Sequence, residues 1–197
     1  MKQYSAACER NREPILQVLR EIFSDTRRVL EIGSGTGQHA VFFAPHLLHL
    51  EWQTSDLEHN HVSILAWMRD QPCSNLLPPL VLDMAVTTWP KAKFDAVFSA
   101  NTCHIMAWDE VELMFHGAGN LLPVGGLLVV YGPFNYDGKF TSESNARFDA
   151  SLREFAAHMG IRDFAAVDAL ARQASLKLEQ DLEMPANNRL LVWRKVA

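Results

Sequence analysis

The stretch RRVLEIGSGTGQHAVFFA, residues 27–44, joins an apolar strand-length run to a helix-length run through three glycines, Gly33, Gly35 and Gly37. An extended run that breaks at closely spaced glycines and restarts with helical spacing is a β–turn–α unit. The unit recurs down the chain. LEWQTSD reads as a second strand ending at Asp56, followed by the amphipathic helix HVSILAWMRD. PLVLDM is a third strand ending near Asp83, and FDAVFSAN a fourth ending at Asn101. The helix DEVELMFHGAGNLL, opened by Asp109, leads through the turn PVGG into a fifth strand, LLVVYGPF. Such alternation predicts an α/β fold, a mostly parallel sheet with helices on both faces.

The ends of the chain depart from that alternation. NREPILQVLREIF predicts a helix capped by Asn11, with Pro14 in its first turn and Ile15, Leu16, Leu19, Ile22 and Phe23 on one face. Residues Asn135–Ala146 read as a mobile polar loop, with helices expected around Ala146–Met159 and Asp163–Ala174. The tail LKLEQDLEMPANNRLLVWRK has two alternating runs about Pro185–Asn188, an antiparallel hairpin at the sheet edge.

Composition narrows the function classes. Eighteen basic against 23 acidic residues give a net charge of −5. With no basic arm or stripe, no nucleic-acid partner is expected. Cys8, Cys73 and Cys103 are too few and too scattered for a disulfide framework or a zinc ribbon. His46, His49, His59 and His61 supply no clear four-ligand set, so no metal is expected. The N-terminus lacks an apolar signal-peptide core, and runs such as GGLLVVYG are too short to span a bilayer. The expectation is a cytoplasmic single domain with no membrane partner; the oligomeric state is open.

In open α/β sheets ligands bind outside the carboxyl ends of the strands, where EIGSGTGQ lies. Glycine there admits positive φ and close ligand approach, and a helix starting near Gly37 turns free N–H groups toward the same space. A dinucleotide pattern fails from Gly33, because Gln38 stands where glycine or alanine is needed. It succeeds from Gly35 through Gly37 and Ala40, with Asp56 as the ribose acid, so the local motif does not decide. The acids around it favour another ligand. Glu31 would repel a pyrophosphate but help a cationic ammonium or sulfonium. Asp56 can accept both ribose hydroxyls, and Asp83 an adenine amino group.

Glu31, Gly33, Gly35, Gly37, Asp56, Asp83 and the end of strand four, in this order, resemble the class I S-adenosylmethionine-dependent methyltransferases. A closer resemblance covers nearly the whole chain. SAACERNREPIL, FSANTCHIMAW, GAGNLLPVGGLLVVYGPFNYDGKFTSESNARFDASL, GIRD and MPANNRLLVWRK are similar to the methyltransferase-like protein twenty-six group. The resemblance implies a Rossmann-like, seven-stranded sheet with a C-terminal antiparallel hairpin. It implies one domain over 1–197: an N-terminal lid and helix (1–26), a cofactor-binding core (27–133) and an acceptor-side region (134–197). The implied cofactor is S-adenosyl-L-methionine, expected to be held by Glu31, Gly33, Ser34, Gly35, Thr36, Gly37, Gln38, Asp56, Leu57, Asp83, Met84 and Ala100. Tyr4–Asn11 and Pro185–Asn188 are implied to line the same site. The resemblance says little about the acceptor; the expected acceptor is a small molecule of unassigned identity.

At the end of strand four, His104 is a candidate base and Asn101 a candidate orienting group. A packing role for His104 stays open, because methyl transfer often needs only alignment. Cys103 beside it does not form a nucleophilic pair, since adjacent side chains usually diverge. Arg10, Asn11, Tyr131, Phe134 and Asn187 are candidate substrate contacts. Two alternatives remain: a non-catalytic interaction module retaining a nucleoside pocket, suggested by SANTCH in place of an amino-methylation motif, and an NAD-linked oxidoreductase, suggested by Gly35–Gly37–Ala40.

Overall fold

The computed structural model describes residues 1–85 and 89–197. Its elements, in chain order, are α1 (Ala6–Ile22), β1 (Arg28–Ile32), α2 (Gln38–Phe43), β2 (Glu51–Asp56), α3 (His61–Asp70), β3 (Leu76–Val81), β4 (Ala96–Ala100), α4 (Trp108–Leu121), β5 (Leu127–Gly132), β6 (Phe134–Asn135), α5 (Glu143–Phe155), β7 (Arg162–Asp163), α6 (Phe164–Gln173), β8 (Leu176–Met184) and β9 (Asn188–Lys195). Seven strands form a sheet in the order β3-β2-β1-β4-β5-β9-β8. The expected α/β class and the C-terminal hairpin are therefore present. The chain divides into two compact units, Met1–Ser99 and Ala100–Ala197.

In the first unit β3, β2, β1 and β4 pair in parallel. Their buried faces hold an aromatic cluster, with Phe43, Trp52 and Phe98 ring centroids 5.5 to 5.8 Å apart and Phe23 6.5 Å from Trp52. β3 starts at Leu76, three residues before the expected strand, and runs through Pro78 and Pro79. Proline lacks the ladder donor, but β3 is an outer strand, where one side of the backbone needs no partner. As a result Asp83 lies two residues past the strand rather than at its end.

The N-terminal helix corrects two expectations. It begins at Ala6, capped by Ser5, whose hydroxyl accepts a 3.4 Å hydrogen bond from Cys8 N–H. Asn11 is inside the helix and not its cap. Pro14 lies mid-helix, where it leaves the Arg10 carbonyl without an i+4 donor. Pro45 sits in a 3-10 turn, Ala44–His46, that extends α2.

In the second unit β9 is antiparallel to both β5 and β8, so β8 runs parallel to β5. Phe115 meets Trp193 edge-on at 5.4 Å. The Trp193 indole N–H reaches the buried carboxylate of Asp168 at 3.0 Å. Gly119 lets α4 approach the end of α6: a Cβ there would lie 2.5 Å from the Ala174 carbonyl oxygen. The segment expected as a mobile loop is partly structured. Tyr136 and Lys139 bridge each other, and α5 starts at Glu143, three residues early, under a Ser142 cap. It also ends four residues early. Among the described residues no helix is long and apolar enough to cross a membrane.

Candidate active site

The glycine loop follows β1 in the first unit. Gly33, Gly35 and Gly37 all adopt positive φ, 69°, 56° and 92°, but they are not equivalent. A Cβ on Gly37 would lie 2.8 Å from the Ile64 Cα, so this glycine lets the loop seat against α3. A Cβ on Gly35 would meet nothing closer than the Gly33 carbonyl oxygen at 3.9 Å. Gly35 is the position where backbone faces open space, as a close-approaching ligand requires. The six-residue α2 is too short for its dipole to count for much.

Two carboxylates flank the loop. Glu31 is 2 % exposed. Its Oε2 accepts from the Ser34 hydroxyl at 2.8 Å and from the Trp52 indole at 3.1 Å. Burial outweighs these bonds and pushes its pKa up to about 7, with the Asp56 charge adding in the same direction. Asp56 accepts from Gly35 N–H at 2.6 Å through Oδ2, and from Leu57 N–H at 2.7 Å and the Asn60 amide at 2.8 Å through Oδ1. Three donors leave part of a carboxylate's accepting capacity for a ligand hydroxyl. Ser55 completes the seam, bonding the Glu31 carbonyl at 2.6 Å through its hydroxyl and the Ser34 hydroxyl at 3.2 Å through its N–H. Glu31, Ser34, Gly35, Asp56 and Leu57 thus converge by direct bonds.

Gln38 and Thr36 tie this loop to the N-terminal segment. Gln38 Oε1 accepts from Ser5 N–H at 2.5 Å and from the Thr36 hydroxyl at 3.1 Å. Its Nε2 is buried and has no partner among the described residues. Such an orphan donor is uncommon and marks a place for a ligand or water. Asn11 Oδ1 lies 2.7 Å from His39 Nε2, one residue past Gln38, whereas Arg10 is exposed. Asp83 is half-buried, caps a turn by accepting from Ala85 N–H at 2.9 Å, and precedes the buried Met84. Leu82 N–H reaches the Asp56 carbonyl at 3.0 Å.

The second unit holds the other candidates. Ala100, half-buried, ends β4. Asn101 follows in a left-handed conformation, φ 60°, with its N–H bonded to the Tyr131 carbonyl at 2.8 Å. Asn101 Oδ1 and His104 Nδ1 converge above Gly132, 4.0 and 3.8 Å from where its Cβ would be. The His104 ring packs edge-on against Phe148 at 5.3 Å. Burial, then the Arg162 charge, pull the His104 pKa down to about 4, leaving a neutral imidazole at physiological pH. Burial pushes the Cys103 thiol up to about 12, so no thiolate stands beside it. Tyr131 and Phe134 are 2 % and 1 % exposed. Asn187 is exposed, φ 56°, on the hairpin turn that Asn145 holds by a 3.0 Å bond to the Asn187 carbonyl.

Several partners are absent from the sequence reading. Trp52, a core aromatic, is a donor to Glu31. Asn60 is four residues after Asp56, a spacing that could have flagged it. Arg162 and Phe148, at His104, carry no local signal.

Solved structures share the fold. An O-methyltransferase family protein from Burkholderia thailandensis superimposes with a TM-score of 0.83 at 16 % identity, covering 94 % of this chain and 56 % of the other. The S-adenosylmethionine-dependent methyltransferase SibL gives 0.82 at 18 % identity, covering 98 % and 56 %. An O-methyltransferase family 2 protein from Planctomyces limnophilus, in complex with apigenin, gives 0.78 at 18 % identity, covering 94 % and 56 %. The chain thus spans little more than half the length of these proteins. A family model described as a protein of unknown function (DUF938) matches residues 2–195. The chain therefore belongs to the DUF938 family, and its fold is that of S-adenosylmethionine-dependent methyltransferases.

Proposed function

We propose that this protein is an S-adenosylmethionine-dependent methyltransferase acting on a small-molecule acceptor, of the kind found in the methyltransferase-like protein twenty-six group. The observation that carries the reading is the buried Glu31 carboxylate, bonded through Ser34 to a loop whose Gly35 faces open space. A negative charge in that wall opposes a pyrophosphate and favours an ammonium. It counts against the NAD-linked alternative. In this reading Glu31 neutralises the amino-acid end of the cofactor. Asp56 accepts from a ribose hydroxyl, Asp83 and the Met84 backbone meet the base, and Gln38 offers its unpaired N–H. When bound, S-adenosylmethionine supplies a methyl group on a cationic sulfur. The rest is alignment and exclusion of water.

His104 and Asn101 are proposed for the acceptor side. An attacking O–H or N–H becomes strongly acidic as its bond to carbon forms. A neutral imidazole of low basicity therefore suffices to take that proton, at Nδ1 on the Gly132 side. Asn101, fixed by its strained backbone, orients the same group. Apigenin in one structural relative supports a small acceptor.

Isothermal titration with S-adenosylmethionine, S-adenosylhomocysteine and NADH tests the cofactor. Micromolar binding of the first two with no NADH heat is expected. NADH binding without the others would replace this reading with the oxidoreductase one.

A further inference from the structure

The loop from Asn101 to Ala107, which carries both acceptor-side candidates, is held from one side by a single guanidinium. Arg162 Nε donates to the Cys103 carbonyl at 2.9 Å. Its Nη2 donates to the Met106 carbonyl at 2.5 Å and the His158 carbonyl at 3.0 Å. Two of these acceptors bracket His104. The third belongs to the segment that also supplies Gly160 N–H to the His104 carbonyl at 2.9 Å. That segment is itself braced: Asp149 accepts from Ile161 N–H at 2.7 Å and from Arg153 Nε at 2.7 Å. Gly160 has φ 156°, and a Cβ there would lie 2.7 Å from the Arg153 guanidinium.

All three Arg162 hydrogen-bond acceptors are main-chain carbonyls. Among the described residues this half-buried cation bonds no carboxylate. A lysine, with one nitrogen, could not span carbonyls on both sides of His104 with the same planar fork.

We propose that Arg162 is the positioning residue of the acceptor side: it fixes the Asn101–Ala107 loop and thereby the orientation of the His104 imidazole. Its charge adds to the burial that keeps that ring neutral. The inference rests on the reading of His104 as an acceptor-side group. Among the described residues, the other charged or titratable groups on the elements packed against that loop are the Cys103 thiol of the loop itself, His158 of the bracing segment, and the Asp149–Arg153 pair of α5, next in sequence to Phe148. Asp149 and Arg153 neutralise each other, and the Cys103 thiol stays protonated. Arg162 is left as the charge that opposes imidazolium formation.

The test uses the whole protein without cofactor. The His104 imidazole is followed by NMR from pH 3 to 8, its signal assigned by loss in His104→Gln. Wild type is expected to titrate near pH 4. Arg162→Met should raise that midpoint part of the way back toward 6.5, since burial, the larger cause of its depression, remains. Arg162→Lys should keep it close to wild type. Ile105 and Met106 amides, bonded to the Thr102 carbonyl at 2.9 and 3.1 Å, should exchange at least ~10-fold faster in both variants, since neither re-forms the fork.

A folded Arg162→Met protein with an unmoved His104 midpoint overturns the proposal. Should Arg162→Met not fold, a wild-type midpoint near that of a free histidine, or unchanged amide exchange in Arg162→Lys, overturns it as well. Titration of the same samples with S-adenosylhomocysteine separates the two readings. Failure of wild type to bind S-adenosylhomocysteine sinks the methyltransferase assignment and leaves the Arg162–His104 coupling standing.

Discussion

The indole of Trp52 donates its N–H to Oε2 of Glu31 at 3.1 Å, across adjacent parallel strands and inside the aromatic core of the first unit. Both side chains are buried, and the carboxylate is the only charge in that contact. The bond stabilises the ionised form, yet burial wins, and Glu31 titrates near pH 7 rather than near 4.5. Since its folded pKa is raised, the folded state holds this proton more tightly than the unfolded chain. The resulting stability is fully present below about pH 4.5 and is lost as pH climbs to about 7. The shift is worth a few kcal/mol in order of magnitude. Urea midpoints between pH 5 and 8 should therefore fall for the wild type and flatten for Glu31→Gln. Trp52→Phe, which removes the donor and leaves the carboxylate short of a partner, should cost about 1–3 kcal/mol at pH 8.

The same titration reaches the cofactor. If Glu31 must be ionised to meet an ammonium, affinity for S-adenosylhomocysteine falls about tenfold per pH unit below 7. Calorimetry in two buffers of different ionisation enthalpy should register a proton released on binding near pH 6.5. Glu31→Gln should bind weakly and independently of pH. A wild-type affinity that is flat from pH 5.5 to 8 would remove Glu31 from the ammonium site.

Gly35 and Gly37, two residues apart, should respond oppositely to alanine. Gly37→Ala meets the Ile64 Cα at 2.8 Å in a left-handed backbone, so it should destabilise the fold by about 2–4 kcal/mol. Gly35→Ala has room for the methyl and pays only for its φ of 56°, about 1 kcal/mol. The methyl nevertheless fills the space proposed for ligand. The expected outcome is a Gly35→Ala protein with near-normal thermal stability and S-adenosylhomocysteine affinity reduced at least ~10-fold, for about 1.4 kcal/mol or more. Normal binding by Gly35→Ala would make the open side of the loop incidental.

Asn145 supplies a check on the hairpin end of the second unit. It is 5 % exposed, and its amide reaches the Thr141 hydroxyl at 2.9 Å and the Asn187 carbonyl at 3.0 Å. Ala186 and Asn187 both sit in the left-handed region, at φ 59° and 56°. This bond helps hold that strained turn, alongside the Asn188 amide, which donates to the Pro185 carbonyl at 3.1 Å. Asn145→Ala should lower the unfolding free energy by about 1–2 kcal/mol, and Ala186→Gly should raise it by about 0.5–1 kcal/mol. Differential scanning calorimetry of the two variants and their combination reads both effects.

What the sequence made legible was local and periodic. The glycine turn after a buried strand, the α3 span His61–Asp70 and the final hairpin all follow from spacing and turn chemistry over ten to twenty residues. What it hid depended on distant partners. The Pro78–Pro79 pair looks like a break until the strand is known to lie at the sheet's edge. Asn11 looks like a cap until Ser5, six residues earlier, takes that place and His39 takes the amide. Glu31 was legible as an acid beside glycines, but its donor Trp52 lies 21 residues away and reads as core. Arg162 is separated from the loop it holds by 56 to 59 residues, and no pattern within either segment points to the other.

Asp56 shows how structure changes the outcome expected of a mutation. From its position at a strand end, Asp56→Ala should remove cofactor affinity and leave the fold intact. The carboxylate, 7 % exposed, is also the acceptor for the main-chain N–H groups of Gly35 and Leu57 and for Asn60. Alanine leaves two N–H groups at the mouth of the loop without their acceptor, at about 1–3 kcal/mol each where water cannot replace it. Affinity and stability should therefore fall together in Asp56→Ala. Asp56→Asn separates them: its side-chain carbonyl can still serve Leu57 and Asn60, while its amide faces Gly35 N–H donor to donor. Thermal unfolding should place Asp56→Asn between wild type and alanine. Titration with S-adenosylhomocysteine should show both variants weakened by at least ~10-fold, since neither offers a carboxylate to a ribose hydroxyl. If Asp56→Asn unfolds early yet binds like wild type, Asp56 serves the loop alone and the ribose must be held elsewhere.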